Sequence, residues 1–117
     1  MTRLNLTNSR KIILICNAIT NNQLIRFVYN GKERLAEPYI IGQHTTTQNF
    51  LIRAWECNDG VLEKTEENRK LFNITKIEQL SLETSPFIPR TDKFSFVDKH
   101  ISRPLCSLFS GVMPAMA

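Results

Sequence analysis

Asn30-Gly31 narrows the folds open to this chain more than any other pair in it. It lies between Gln23-Leu24-Ile25-Arg26-Phe27-Val28-Tyr29 and Lys32-Glu33-Arg34-Leu35-Ala36-Glu37-Pro38. Asn-Gly suits a two-residue type I′ turn, whose twist matches that of paired antiparallel strands. Such a turn fixes the register: Tyr29 faces Lys32, Phe27 faces Arg34 and Ile25 faces Ala36. One side of the hairpin then carries apolar residues inside and cations toward the turn. The same mixture recurs in residues 49–55 and 69–77, so the sequence predicts an aromatic and basic β surface.

A chain of 117 residues, 42% hydrophobic and 22% charged, has material for one ordinary globular core and none for a separate catalytic domain. Its formal charge of +4 favours anionic partners without requiring one. The apolar run at residues 12–16 is too short to span a bilayer, and polar Asn21-Asn22 follows it instead of a cleavage site. The expectation is therefore a cytoplasmic protein with no membrane segment. Cys16, Cys57 and Cys106 are widely spaced, and His44 and His100 are the only histidines. Neither a zinc site nor a disulfide framework is indicated, and packing is the expected role of all three thiols.

Along the chain, Thr7-Asn8-Ser9 offers N-caps, and Ile12, Ile15, Ala18 and Ile19 recur at helical spacing, predicting a helix over residues 9–20 that Asn21-Asn22 ends. Pro38 is expected to close the second hairpin strand, with a further short strand at 39–41. A polar loop at 42–48 leads into a strand at 49–57. A turn at 58–60, a short pairing at 61–62 and an acidic loop at 63–68 follow. Strands are expected at 70–74 and 79–83, joined by one helical turn capped by Thr75. This order predicts a mainly β, α+β domain over residues 1–85: a small SH3-like or Sm-like antiparallel barrel with an N-terminal helix. Residues 86–117, punctuated by prolines and isolated aromatics, read as an irregular tail that wraps the domain or a partner, with a strand conceivable at 97–101 and a disordered end.

The residues Ala18-Ile19, Leu24-Ile25-Arg26-Phe27-Val28-Tyr29, Gly31-Lys32, Arg34, Glu37-Pro38, Leu51-Ile52-Arg53-Ala54, Leu71-Phe72 and Lys76-Ile77 together resemble the WYL-domain family over about residues 12–90. The resemblance implies a ligand-sensing, Sm-like barrel of the kind found in bacterial transcriptional regulators. Its implied ligands are nucleotides or single-stranded nucleic acid. The family's Trp-Tyr-Leu motif falls on Asn49-Phe50-Leu51, so the indole is missing, and Lys70 and Lys76 stand where arginines are frequent. A lysine supplies charge without the planar fork that grips phosphate in two places. With only residues 1–22 before the hairpin, the expectation is a member without a DNA-binding module that acts through another protein.

The candidate ligand-binding set is Tyr29, Arg34, Phe50, Arg53, Lys70 and Lys76: aromatic faces for a base and cations for phosphates. The competing reading has Phe50 filling the barrel while the cations solvate its rim. Trp55 lies on the opposite strand face from Phe50 and is either core or interface. No nucleophile elbow, paired-histidine motif or phosphate-cradling glycine loop is present, so the reading is non-catalytic, without cofactor or metal. The alternative function is a protein-interaction module, either a dimerising accessory protein or an inhibitor encoded by a mobile element, with no small ligand. Ile12-Ile13-Leu14-Ile15, apolar nearly all round a helix, points to a homodimer in either case.

Overall fold

The structure, a computed structural model, describes residues 7–57, 68–90 and 98–108. The expected turn at 58–60, the pairing at 61–62, most of the acidic loop and the chain's last residues lie outside them. Helix α1 (Asn8–Thr20) begins where the Thr7 hydroxyl accepts the Arg10 N–H at 3.2 Å. It ends where the Asn21 N–H reaches the Asn17 carbonyl at 3.0 Å and Asn22 turns to φ 54°.

Strands β1 (Gln23–Tyr29) and β2 (Lys32–Gln43) pair in the register set by the turn, from Ile25 opposite Ala36 to Tyr29 opposite Lys32. Asn30 at φ 54° and Gly31 at φ 75° supply the two left-handed residues that a type I′ turn needs. Pro38 does not end β2. It pairs with Ala54 beyond the last β1 partner, beside an irregularity in the ladder, so its missing N–H deprives no β1 residue of a bond.

Strands β3 (Phe50–Cys57), β4 (Arg69–Asn73) and β5 (Glu78–Pro86) follow, and one 3₁₀ turn (Ile74–Lys76) joins the last two. That turn is capped by the Asn73 side chain, not by Thr75. The sheet order is β4-β3-β2-β1-β5, with every neighbouring pair antiparallel. Among the described residues β4 and β5 do not pair, so the hydrogen-bonded sheet is not closed, and of the expected bent SH3-like or Sm-like barrel the bent antiparallel sheet with its helix is what the structure shows. That sheet curls. The Tyr29 hydroxyl accepts the Asn73 N–H at 3.0 Å, and the Phe72 ring lies 5.0 Å from Phe27 and 4.9 Å from Tyr29, across two intervening strands.

The curl encloses the main core. Ile25, Phe27, Ile41, Ile52 and Phe72 pack there against Ile15, Ala18 and Ile19 of α1. The Lys11 ammonium donates to the Ile74 carbonyl at 3.2 Å and so fixes the helix over the end of β4. A second apolar cluster, on the other side of the sheet, contains Tyr39, Ile40, Leu51, Trp55 and Ile101, and Trp55 is core. Among the described residues no helix is long and apolar enough to cross a membrane.

Two expectations about the C-terminal part are corrected. Residues 103–107 form a strand, β6 (Arg103–Ser107), paired with β2. Cys16 and Cys106, whose Cα atoms lie 5.6 Å apart, form a disulfide. Their separation of 90 residues follows no local cysteine pattern; only the docking of β6 beside α1 brings them together. Cys57 is a free thiol.

Candidate ligand-binding face

Cross-strand partners in an antiparallel sheet point to the same side. The pairs Tyr29–Lys32, Phe27–Arg34, Ala36–Glu56, Ala54–Lys70 and Ile52–Phe72 therefore place Tyr29, Lys32, Arg34, Glu56, Lys70 and Phe72 on the inner face, where the apolar core gives way to a polar rim. Arg34 organises this rim. Its Nη1 donates to both Glu56 carboxylate oxygens at 3.2 Å and its Nη2 to the Tyr29 carbonyl at 3.3 Å. Its guanidinium carbon stands 5.9 Å from the Tyr29 ring centroid and 6.0 Å from that of Phe72.

Glu56 is held from the other side: its main chain exchanges hydrogen bonds of 2.7 Å with the Asn68 carbonyl and side chain. The Arg34 and Glu56 side chains are only 17% and 6% exposed, so they largely neutralise each other within the rim. The buried Arg34 Nε has no hydrogen-bond partner among the described residues. Open positive charge instead comes from Lys32 and Lys70, which are exposed and have no carboxylate within ion-pair distance among the described residues. Lys76 is likewise exposed, three residues past the Asn73 that binds the Tyr29 hydroxyl.

Arg53 does not join this group. It shares strand parity with Trp55 and lies on the opposite face, where its Nε donates to Asp98 Oδ2 at 2.7 Å and its Nη2 to Asp98 Oδ1 at 3.3 Å. The same Nη2 lies 3.0 Å from His100 Nδ1; arginine can only donate, so that nitrogen accepts. Burial alone would raise the Asp98 carboxyl, but hydrogen bonds from Arg53 and the His100 N–H, with the charges around it, hold it below the ordinary carboxylate value. Phe50 is half-buried against the main core at the far end of β3 from the rim.

Of the six residues singled out in the sequence, then, Tyr29, Arg34 and Lys70 come together, Lys76 follows the strand that Tyr29 touches, and Phe50 and Arg53 are elsewhere. The parity of Arg53 with Trp55 was a visible signal of its different face, and the hairpin register pointed to Lys32 as the neighbour of Tyr29. Glu56 had no such signal, because its place beside Arg34 depends on the β2–β3 register, which a loop of several residues does not fix.

A third polar cluster fastens the segment after β5. Arg90 grips Glu37 at 3.1 and 3.2 Å and lies 4.5 Å above the Trp55 ring. Tyr39 donates to Glu37 at 3.0 Å and accepts the Arg90 N–H at 2.7 Å; burial, then the Glu37 carboxylate, push its phenol above the usual value. No group of three or more histidine, cysteine or acidic residues that could hold a metal ion occurs among the described residues.

No protein-family model matches the chain, and no curated protein matches it. Among solved structures it is similar to proteasome accessory factor B/C (PafBC) of Arthrobacter aurescens, with a TM-score of 0.59 and 16% identity. The match covers 80% of this chain and 15% of that one, so this chain spans only a small part of PafBC. At this identity the likeness is one of fold: a curled antiparallel sheet with a helix against it is shared with one part of that protein.

Proposed function

We propose that this chain is a non-catalytic ligand-sensing or regulatory domain that binds a phosphate-bearing ligand, single-stranded nucleic acid or a nucleotide, and works with a partner protein in the cytoplasm. Its carrying observation is the rim in which exposed Lys32 and Lys70 flank the Arg34–Tyr29–Phe72 group on one face. Lysines without carboxylate partners among the described residues offer charge to phosphates, and the half-buried Tyr29 ring lies beside them. The fold likeness to part of PafBC, a WYL-domain-containing regulator, agrees with the residue-level resemblance to that family.

The test is fluorescence anisotropy with a labelled single-stranded oligothymidylate. Phosphate contacts by Lys32, Lys70 and Lys76 predict a log–log salt slope of about −2 from roughly 0.7 per contact. Combining Lys70→Ala with Lys76→Ala should abolish most binding. Affinity that ignores salt, or survives the double substitution, removes the reading.

The second reading, a protein-interaction module that forms a homodimer, is favoured by Ile13 and Leu105, each 53% exposed, on α1 and β6. Light scattering of a concentrated sample separates the two: a stable dimer that binds no oligonucleotide supports it.

A further inference from the structure

Strand β6 occupies an edge that β1 leaves vacant. β1 pairs with β2 only as far as Ala36, whereas β3 lines the other edge of β2 from Leu35 to Gln43. β6 therefore takes the free edge at Ile40–Gln43. Its two ends are held differently. Before the strand, Asp98 is gripped by Arg53 and Ile101 is buried in the second apolar cluster. The Ser102 hydroxyl hydrogen-bonds that of Thr45. The backbone fits Gly42 so closely that a Cβ there would strike the Arg103 carbonyl and come 2.7 Å from Pro104 Cα.

Within the strand the hold rests on the pairing with β2 and on Cys106, which packs against the main core, while the first three side chains add little. Arg103, Pro104 and Leu105 are exposed, and Pro104 has no N–H to give at the point where the ladder slips register. Beyond that slip, Cys106 is tied to Cys16 and the Leu108 N–H reaches the Tyr39 carbonyl at 2.7 Å.

We propose that Cys16–Cys106 is a reversible redox latch: its reduction frees residues 103–108 and opens the β2 edge at Ile40–Gln43, while residues 98–102 stay docked. A dithiol reductant supplies two electrons and two protons; the Sγ–Sγ bond becomes two thiols, and the dithiol becomes its own disulfide. A disulfide oxidant reverses the exchange. Both cysteines are half-buried at the margin of the main core, and exchange proceeds by attack of a thiolate on one of the two sulfurs. The latch rests on the cytoplasmic setting proposed above, where disulfides are mostly transient and redox-responsive. The latch is independent of any ligand at the inner face.

Amide hydrogen exchange on the full chain, oxidised and then reduced with dithiothreitol, tests it. Reduction should speed exchange at residues 103–108 and at the β2 amides facing them by roughly a hundredfold. The β1–β2 hairpin amides should hold within about threefold. Cys16→Ser should reproduce the reduced pattern without reductant; should that variant fold poorly, the reduced native chain is the readout. Unchanged exchange on reduction, an equal loss of protection throughout the chain, or two free thiols after treatment with oxidised glutathione would each overturn the latch.

Discussion

Arg34 and Arg53 are the same residue type on adjacent strands, and each holds a carboxylate, yet they do different work. Arg34 meets Glu56 within the sheet, beside two aromatic rings that pack on each other, and completes the rim of the main core. Arg53 meets Asp98 from outside the sheet and docks a segment that follows in sequence some 45 residues later. Strand parity separates them: one points into the curl and the other away from it. A basic residue in a β sequence therefore says little about binding until its face and its acidic partner are known. On the inner face, among the described residues, the basic groups left exposed without a carboxylate partner are lysines.

Breaking each pair should expose the difference. The largest effect is expected from Glu56→Gln, which leaves the Arg34 guanidinium largely buried without a counter-charge; removing one partner of a buried pair costs about 3–5 kcal/mol. Urea denaturation should show that loss as a lower midpoint for the whole domain, whereas a value near that of the native chain would mean the rim is wetter than its burial implies.

Asp98→Asn should cost less, about 1–3 kcal/mol, and its signature is local. The Asp98 carboxyl is held below its ordinary value when folded, so its contribution is complete above the unfolded value near pH 3.9 and is lost as pH falls through the lower folded value. Acidification below about pH 4 should therefore loosen residues 98–102 in the native chain, and the same pH series in Asp98→Asn should lack that step. An identical acid response in both chains would assign the step to other carboxylates.

Smallest is Gly31→Ala. The added Cβ meets nothing within 4 Å, so only the positive φ of 75° is penalised, at about 1 kcal/mol. This turn sets the register that points Arg34 inward, and a neutral result from thermal unfolding would show that the register is held from elsewhere.

These contrasts follow what local sequence can encode. The Asn30-Gly31 turn, the end of the helix at Asn21 and the inward set Ile25, Phe27 and Phe72 come from short-range chemistry and period-two patterning, and each was legible; the helix start was legible only as one of three caps, and Trp55 only as core or interface. Pro38 misled because the rule against interior proline concerns a missing N–H, and β2 changes partners at that point. β6, the Arg53–Asp98 pair and the Cys16–Cys106 bond were hidden, since each joins residues 45 or more positions apart through docking that no local motif announces. The grouping at the inner rim was half legible for the same reason: the hairpin supplied Tyr29 and Arg34, but the registers of the later strands depend on loops that leave them free.

The most direct test of the account sets the two basic regions against each other by charge reversal. Labelled single-stranded oligothymidylate is titrated into the Lys70→Glu variant, on the inner rim, and the Lys99→Glu variant, on the exposed turn that Arg53 and Asp98 dock. Both changes alter net charge equally, so any general electrostatic attraction falls alike in the two chains. A phosphate site at the inner rim predicts at least about a tenfold loss of affinity for Lys70→Glu and less than about threefold for Lys99→Glu. Equal losses, or the larger loss in Lys99→Glu, would contradict the inner rim as the ligand-binding face.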